Sequence, residues 1–395
     1  MQSVEKVIYD PFLPERWPNP IPAYKKLLKE YPIYHLKNRD IWIISRYEDV
    51  MNALKDWKTF SSGAKGNTIN DTNMPERVGN TLGTTDPPKH DKLRRIVSDV
   101  FTPKYVASLE PEMRRIVIDL INNFRDKETF DFQWEFSYPY TARVVGKMIG
   151  IPEDKLQFFV NELSKGMRES EEHKSDPKNV QARFKLLTDF CKELVEMKKS
   201  NPGNDVISRL LAAKLDGEAL TVMEVAITTF TLIGAAFQST AMAIGCSIST
   251  LSKFPEQLRE LYADPSLIPN MIEETLRYDG STVGFRRTTT RDVELHDQII
   301  PQGAQVFLNF GAANHDEARF ENSEILDIRR KDNKHLGFGW GVHTCLGAPM
   351  ARLMIKVAYE ELLPVLGTEF QIHYDQTVLS STPQFRGYVV LPMSL

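Results

Sequence analysis

Three cysteines in 395 residues are too few and too scattered for a disulfide framework. Cys191, Cys246 and Cys345 make none of the paired spacings of a zinc site, and they fit a reducing compartment. Charge of one sign is missing as well. The 49 basic and 53 acidic residues leave a net charge of −4, which argues against a nucleic-acid binder with a basic surface. The opening MQSVEKVIYDPFLPERW has no basic segment followed by an apolar core, so no secretory leader is expected and the expected location is cytoplasmic. Long apolar runs are nearly absent. The exception is Val225–Leu251, which carries no charge over a length that would cross a bilayer. Thr228, Thr229, Thr231, Gln238, Ser239 and Thr240 interrupt it, and no basic or aromatic belt flanks it. A long buried helix is the better reading, with no membrane partner. Internal repeats, low-complexity tracts and a dinucleotide-binding glycine fingerprint are also lacking.

What is present suits a large globular core: 42% hydrophobic and 26% charged residues, with no convincing linker. A single domain over 1–395 is expected. Pro32-Ile33-Tyr34 and Ile41–Ile44, joined by Lys37-Asn38-Arg39-Asp40, read as a hairpin. Helical periodicity then runs through Leu93–Val100, Leu109–Phe124, Tyr140–Ile149, Lys155–Ser170, Val180–Lys199, Ala219–Leu251, Pro255–Ala263 and Leu267–Tyr278. Short strands are expected at Val293–Leu295, Val306–Asn309 and Tyr388–Leu391, and a last helix at Leu346–Leu366. The fold class is mostly α with small β-sheets (α+β).

The most informative segment is Phe338-Gly339-Trp340-Gly341-Val342-His343-Thr344-Cys345-Leu346-Gly347-Ala348-Pro349. Two glycines allow a tight turn, and a cysteine then opens a helix whose first turn holds Pro349. Orphan N–H groups and the positive helix end near the sulfur favour a thiolate. Phe338 can shield that sulfur from water, and Gly347 leaves room for a flat object.

The segment resembles the cytochrome P450 signature Phe-Gly-x-Gly-x-His/Arg-x-Cys-x-Gly at every fixed position. The resemblance extends over nearly the whole chain and implies a cytochrome P450 fold, a single haem domain, haem b as cofactor and Cys345 as the thiolate ligand of its iron. Glu274-Thr275-Leu276-Arg277 is similar to the family's Glu-x-x-Arg motif. Together with Asp327-Ile328-Arg329-Arg330, it implies an ion-pair network of Glu274, Arg277 and Arg330. Ser323 and Leu326 stand where the family usually has proline and an aromatic, so a locally altered loop is expected. Asp86-Pro87-Pro88-Lys89-His90-Asp91-Lys92-Leu93-Arg94 and Phe285-Arg286-Arg287 resemble the segments that bind the haem propionates, and with the histidine of the cysteine loop this assigns His90, Arg94, Arg287 and His343 to them.

Leu232-Ile233-Gly234-Ala235-Ala236-Phe237-Gln238-Ser239-Thr240 lies where the family's oxygen-activating helix reads Ala/Gly-Gly-x-Asp/Glu-Thr. Ala235 and Ala236 are small, as oxygen binding against that helix requires. Gln238 replaces the acid and Ser239 the threonine, with Thr240 next. A carboxamide orients water but cannot ionise. Three routes stay open: Ser239 or Thr240 with ordered water, a hydroxyl supplied by the substrate, or direct use of peroxide. Val283, Phe285 and Arg286 are the expected substrate-pocket residues. The polar stretch Ser61–Met74 and the charge-rich Glu169–Lys174 point to a small oxygenated substrate such as a methoxylated sugar or aromatic, and to hydroxylation or O-demethylation. With no flavin or nicotinamide domain, electrons are expected from a ferredoxin or flavodoxin with its NAD(P)H-dependent reductase, and oxygen from O2. Lys92, Arg95, Lys334 and Arg352 are candidates for the basic patch that receives the carrier. A peroxygenase and a non-catalytic haem-binding protein are the alternatives.

Overall fold

The computed structural model describes residues 7–13, 18–68, 78–98, 101–172, 177–215, 217–380 and 384–395. Of the expectations above, 69–74 of the polar stretch, 99–100 of the first helix and 173–174 of the charge-rich stretch lie outside the described residues. The chain groups into two compact units, one of 1–86, 273–345 and 379–386, the other of 87–272, 346–378 and 387–395.

The first unit is built on a five-stranded sheet. Ile33–Leu36 and Ile41–Ile44 form the expected antiparallel hairpin, with Ile33 opposite Ile44. Gln305–Asn309 runs parallel to Ile41–Ile44 and antiparallel to Gly284–Thr289, and Phe60–Ser61 closes the order. Alternation sorts the side chains onto two faces. Ile44, Val306 and Leu308 pack with Tyr47, Val50, Leu54, Phe310 and Phe320. Ile41, Ile43 and Phe307 pack with Phe12, Leu36 and Val283. Strands buried on both faces explain why these segments read as continuous apolar runs.

The second unit is helical, with a three-stranded sheet of Thr129–Asp131, Gln371–Ile372 and Pro392–Ser394. Its axis is the helix Val222–Lys253. Thr221 accepts from the Glu224 N–H at 3.2 Å while Glu224 Oε2 accepts from the Thr221 N–H at 2.8 Å, a reciprocal cap. That cap starts the helix at Val222, so the expected start at Ala219 is corrected; Glu218–Ala219 pairs instead with Lys214–Leu215 as a short strand. Among the described residues this is the one helix long and apolar enough to cross a membrane. From Thr240 through Leu251 every residue is buried. Its hydroxyls there are bonded inside the unit: Ser247 to Tyr359 Oη at 2.7 Å and Ser249 to Tyr388 Oη at 2.8 Å. Gly245 has no room for a Cβ, because Gln133 fills that space and donates to the Tyr388 carbonyl at 2.8 Å. Gln133–Ser137 forms a widened helical turn ahead of Tyr138–Ile149.

Candidate active site

The cysteine loop belongs to the first unit. Gly339 (φ 65°) and Gly341 (φ 70°) both occupy the left-handed region. A Cβ on Gly341 would also stand 2.5 Å from the Leu54 carbonyl oxygen, so no other residue fits there. The Gly339 N–H donates to the Leu336 carbonyl at 2.8 Å, and the Cys345 N–H returns to the Phe338 carbonyl at 2.8 Å. This closes a loop with Phe338 at its base. Cys345 is exposed, whereas Cys191 and Cys246 are buried. Burial pushes the Cys191 thiol up to about 12, which makes it inert as a ligand. One expectation is corrected here. The last helix is Ala348–Leu366 with Gly347 as its N-cap, so Cys345 precedes the helix instead of opening it. Pro349 in the first turn is compatible with that start.

Behind the loop, Glu274 and Arg277 form an ion pair with both side chains fully buried. Arg277 uses all five N–H donors. Nε and Nη2 reach Glu274 at 2.9 and 2.8 Å. Nη1 reaches the Asn314 and Ser323 carbonyls at 2.9 and 2.8 Å, and Nη2 also reaches Ile325 at 3.2 Å. Glu274 accepts in addition from Arg330 Nε at 3.1 Å, Asn333 Nδ2 at 2.9 Å and the Asp327 N–H at 2.9 Å. The structure therefore brings Glu274, Arg277 and Arg330 together. It adds Asn333 and Asn314, whose contacts are too long-range in sequence for a motif to reveal. The altered loop is accounted for: the Ser323 N–H donates to Glu317 Oε1 at 2.9 Å, a bond proline could not make, and Leu326 is buried.

Arg287 is 4% exposed, and its Nη1 donates to the Arg286 carbonyl at 2.7 Å. Burial brings its guanidinium down to about 10, with only Asp86 favouring the charge. A cation held this way needs an anion. His90 is fully buried, with Nδ1 at 3.0 Å from Asp91 Oδ1, and Arg94 is half-buried on the same helix, Lys89–Ser98. His343 is half-buried in the single turn Gly341–His343.

In the long helix, burial is incomplete ahead of Thr240. Gly234 and Ala235 are exposed and Ala236, Gln238 and Ser239 half-buried, while Ile233, Phe237 and Thr240 stay buried. Nothing lies within 4 Å of where a Cβ on Gly234 would stand. Ser239 Oγ donates to the Ala235 carbonyl at 2.7 Å.

Comparison with known proteins decides the family, since the cytochrome P450 family model matches residues 167–392. This chain belongs to the cytochrome P450 family. Cytochrome P450 CYP107DY1 of Priestia megaterium is 33% identical and aligns over 91% of this chain and 92% of its own. The solved structure of cytochrome P450 CYP109Q5 from Chondromyces apiculatus is 33% identical, with a TM-score of 0.85 and 98% of each chain covered. HmtN, a post-tailoring hydroxylase involved in himastatin biosynthesis, is 30% identical, with a TM-score of 0.82 over 92% of this chain and 93% of its own.

The fold is therefore the cytochrome P450 fold, and the enzyme is a haem b monooxygenase, an oxidoreductase using O2 and an organic substrate. The donor set of this cytochrome P450 fits haem. In the first unit it offers an exposed cysteine on a glycine loop and a buried guanidinium poor in anions.

The substrate-facing expectations fare differently. Val283 is buried in the sheet core beside Phe307, Ile41 and Ile43. Phe285 packs on Phe310 and Phe385, with ring centroids 6.1 and 6.5 Å away. Arg286 is 4% exposed, and its Nη2 donates to the Thr68 carbonyl at 2.7 Å, so its guanidinium anchors the 65–68 loop. The polarity of Ser61–Gly63 also has an internal reason. Asp86 accepts from Ser61 Oγ and from the N–H groups of Ser62 and Gly63 at 2.5, 3.0 and 3.2 Å. Asp86 stands in the quoted Asp-Pro-Pro motif, yet nothing local in that motif shows it would hold a turn more than twenty residues earlier.

Proposed function

We propose that this cytochrome P450 inserts one oxygen atom from O2 into a small, polar, oxygen-bearing molecule, by hydroxylation or by O-demethylation of a methoxylated sugar or aromatic. The observation that carries this is the open stretch of Val222–Lys253. Thr228, Thr231, Gln238 and Ser239 are all half-buried there, around the exposed Gly234 and Ala235. Thr231 Oγ1 donates to the Ile227 carbonyl at 2.8 Å, as Ser239 does to Ala235. Hydroxyl and carboxamide groups gathered on one stretch suit a polar, oxygen-bearing ligand better than a steroid or fatty acid. The himastatin hydroxylase, named for hydroxylation, agrees with the reaction type.

When bound, haem supplies the oxygen-activating iron and the thiolate push. Cys345 would hold the iron, while Phe338 and Gly347 border the ligand segment. His90, Arg94, Arg287 and His343 would hold the propionates by charge-assisted bonds. Ala235 and Ala236 keep the helix low where oxygen must fit. Ser239 carries the proton relay: its hydroxyl accepts from a water oriented by the Gln238 carboxamide and passes its own proton on release from Ala235, with the buried Thr240 as the neighbouring hydroxyl. Electrons come from a ferredoxin or flavodoxin and its NAD(P)H-dependent reductase, and the enzyme works in the cytoplasm. Lys92, Arg95 and Lys334 are exposed and Arg352 half-buried, as charges that receive such a carrier would be.

The test is a titration of methoxylated sugars and phenols, steroids and fatty acids, read as displacement of the water on the haem, followed by formaldehyde and product analysis. Polar methoxylated compounds should displace it and release formaldehyde. Displacement by steroids or fatty acids alone would overturn the substrate class. Product formed as fast from hydrogen peroxide as from the electron-transfer chain would establish the peroxygenase reading, which the missing carboxylate at Gln238 favours.

A further inference from the structure

We propose that His335 is a positioning residue for the thiolate ligand, acting through the backbone of the loop that carries Phe338. The proposal rests on Cys345 being that ligand.

His335 is 7% exposed and lies on the chain just ahead of the glycine loop. Its two ring nitrogens have different tasks. The Gly337 N–H donates to Nδ1 at 3.0 Å. Nδ1 is thus the acceptor, which places the ring proton on Nε2, 3.3 Å from Glu273 Oε2. Glu273 sits on the helix Ile268–Asp279, one residue before the buried Glu274 of the ion-pair network. One imidazole therefore ties the loop backbone to a helix that the network holds rigidly.

The remaining bonds carry this restraint to the cysteine. The neighbouring Leu336 N–H donates to Asn314 Oδ1 at 2.7 Å, and the Leu336 carbonyl accepts from Gly339 at 2.8 Å. Phe338 stands between the two clamped glycines, its ring centroid 5.7 Å from that of His335. Its carbonyl accepts the Cys345 N–H at 2.8 Å. Gly337 itself leaves little slack: a Cβ there would stand 3.0 Å from His335 Nδ1 and 3.3 Å from the Leu276 carbonyl. Partners that orient a ligand segment in this way set the ligand's donor strength and the metal's potential. The Glu-x-x-Arg network holds the surrounding meander, and the His335 clamp acts on the loop itself.

Three substitutions in the haem-loaded protein separate the two nitrogens. His335→Ala removes both bonds. His335→Asn keeps an acceptor where Nδ1 stands, and His335→Gln keeps a polar group where Nε2 stands. Amide exchange at Gly337 and Cys345, the reduction potential, and the share of ferrous carbon monoxide complex with the thiolate-type band are measured for each. In His335→Ala, exchange at Gly337 should quicken roughly five- to tenfold, as expected for one lost hydrogen bond. The potential should rise and the thiolate-type share fall, and His335→Asn should restore all three better than His335→Gln. Wild-type exchange, potential and band in His335→Ala would overturn the proposal, as would rescue by His335→Gln alone. Should His335→Ala fail to fold, the comparison of Asn with Gln decides. Cys345→Ala is the separate control: if it keeps the thiolate-type band, the ligand assignment fails, whatever His335 does to the exchange rates.

Discussion

At Gln238 and Ser239 a carboxamide and a primary alcohol stand where a carboxylate and a threonine would normally move protons toward reduced oxygen. The geometry gives Ser239 a defined starting state, its hydroxyl proton committed to the Ala235 carbonyl at 2.7 Å. A proton arriving at its lone pair and another leaving from Oγ would complete one relay step without any ionised side chain. If this is the route, Ser239→Ala should lower product formed per NAD(P)H consumed, with hydrogen peroxide appearing in its place. General acid catalysis contributes about a hundredfold or more, so the loss should be plain against Thr240→Ala. Equal coupling in wild type, Gln238→Ala, Ser239→Ala and Thr240→Ala would remove these side chains from the relay. The substrate's own hydroxyl would then be the carrier, and an analogue lacking it should uncouple the enzyme.

The elements show where the sequence was readable and where it was not. The long helix, the hairpin and the cysteine loop were legible because each has a local signature: an uncharged run, period-two alternation, and glycines at positions that require positive φ. Apolar periodicity alone puts the helix start three residues early, at Ala219, whereas Thr221-x-x-Glu224 marks it at Val222. The surroundings of Arg286 and of the serines at 61 and 62 are not legible in the sequence for another reason. Their bonds reach the 65–68 loop and Asp86, and polarity alone does not say whether a group faces a ligand or a backbone carbonyl. Glu274 and Arg277 were recognised by motif, but only the structure shows how completely they are satisfied. That completeness makes the network brittle. Arg277→Ala would leave Glu274 buried without its main partner and take the Arg277 donors from the Asn314 and Ser323 carbonyls, a change costing about 3–5 kcal/mol. Set against a total stability of about 5–15 kcal/mol, that is a large fraction, so the melting temperature should fall clearly and haem content with it. Arg277→Lys retains the charge with fewer donors, so it should rescue only partly. A normal melting temperature and haem content in Arg277→Ala would show that the meander is held by something else.

At the scale of the whole molecule, the response to acid should carry the mark of a single buried histidine. His315 is 3% exposed, packed between Tyr24 and Tyr278 with ring centroids 5.7 and 5.6 Å away. Its Nδ1–H donates to the Gly311 carbonyl at 3.0 Å, and its Nε2 is buried with no hydrogen-bond partner. Burial lowers its pKa from 6.5 to about 4; the Gly311 carbonyl opposes this, Arg277 and Arg386 add to it, and Asp279 opposes it. For a base depressed in the folded state, the unfolded chain binds the proton first. Between about pH 6.5 and 4 the unfolded state therefore gains stability that the folded state does not, and the loss levels off below pH 4 once both are protonated. The interval corresponds to roughly 3 kcal/mol, a sizeable part of the stability of one protein. His315→Asn keeps a donor for the Gly311 carbonyl but does not titrate. Its lost packing costs the same at every pH, so the difference in slope isolates the histidine. Denaturant unfolding at intervals from pH 7 to pH 4 should show wild type losing stability more steeply than His315→Asn across that window, with the two curves parallel above it. Parallel curves throughout would mean that His315 takes up its proton in the folded state as readily as in the unfolded chain.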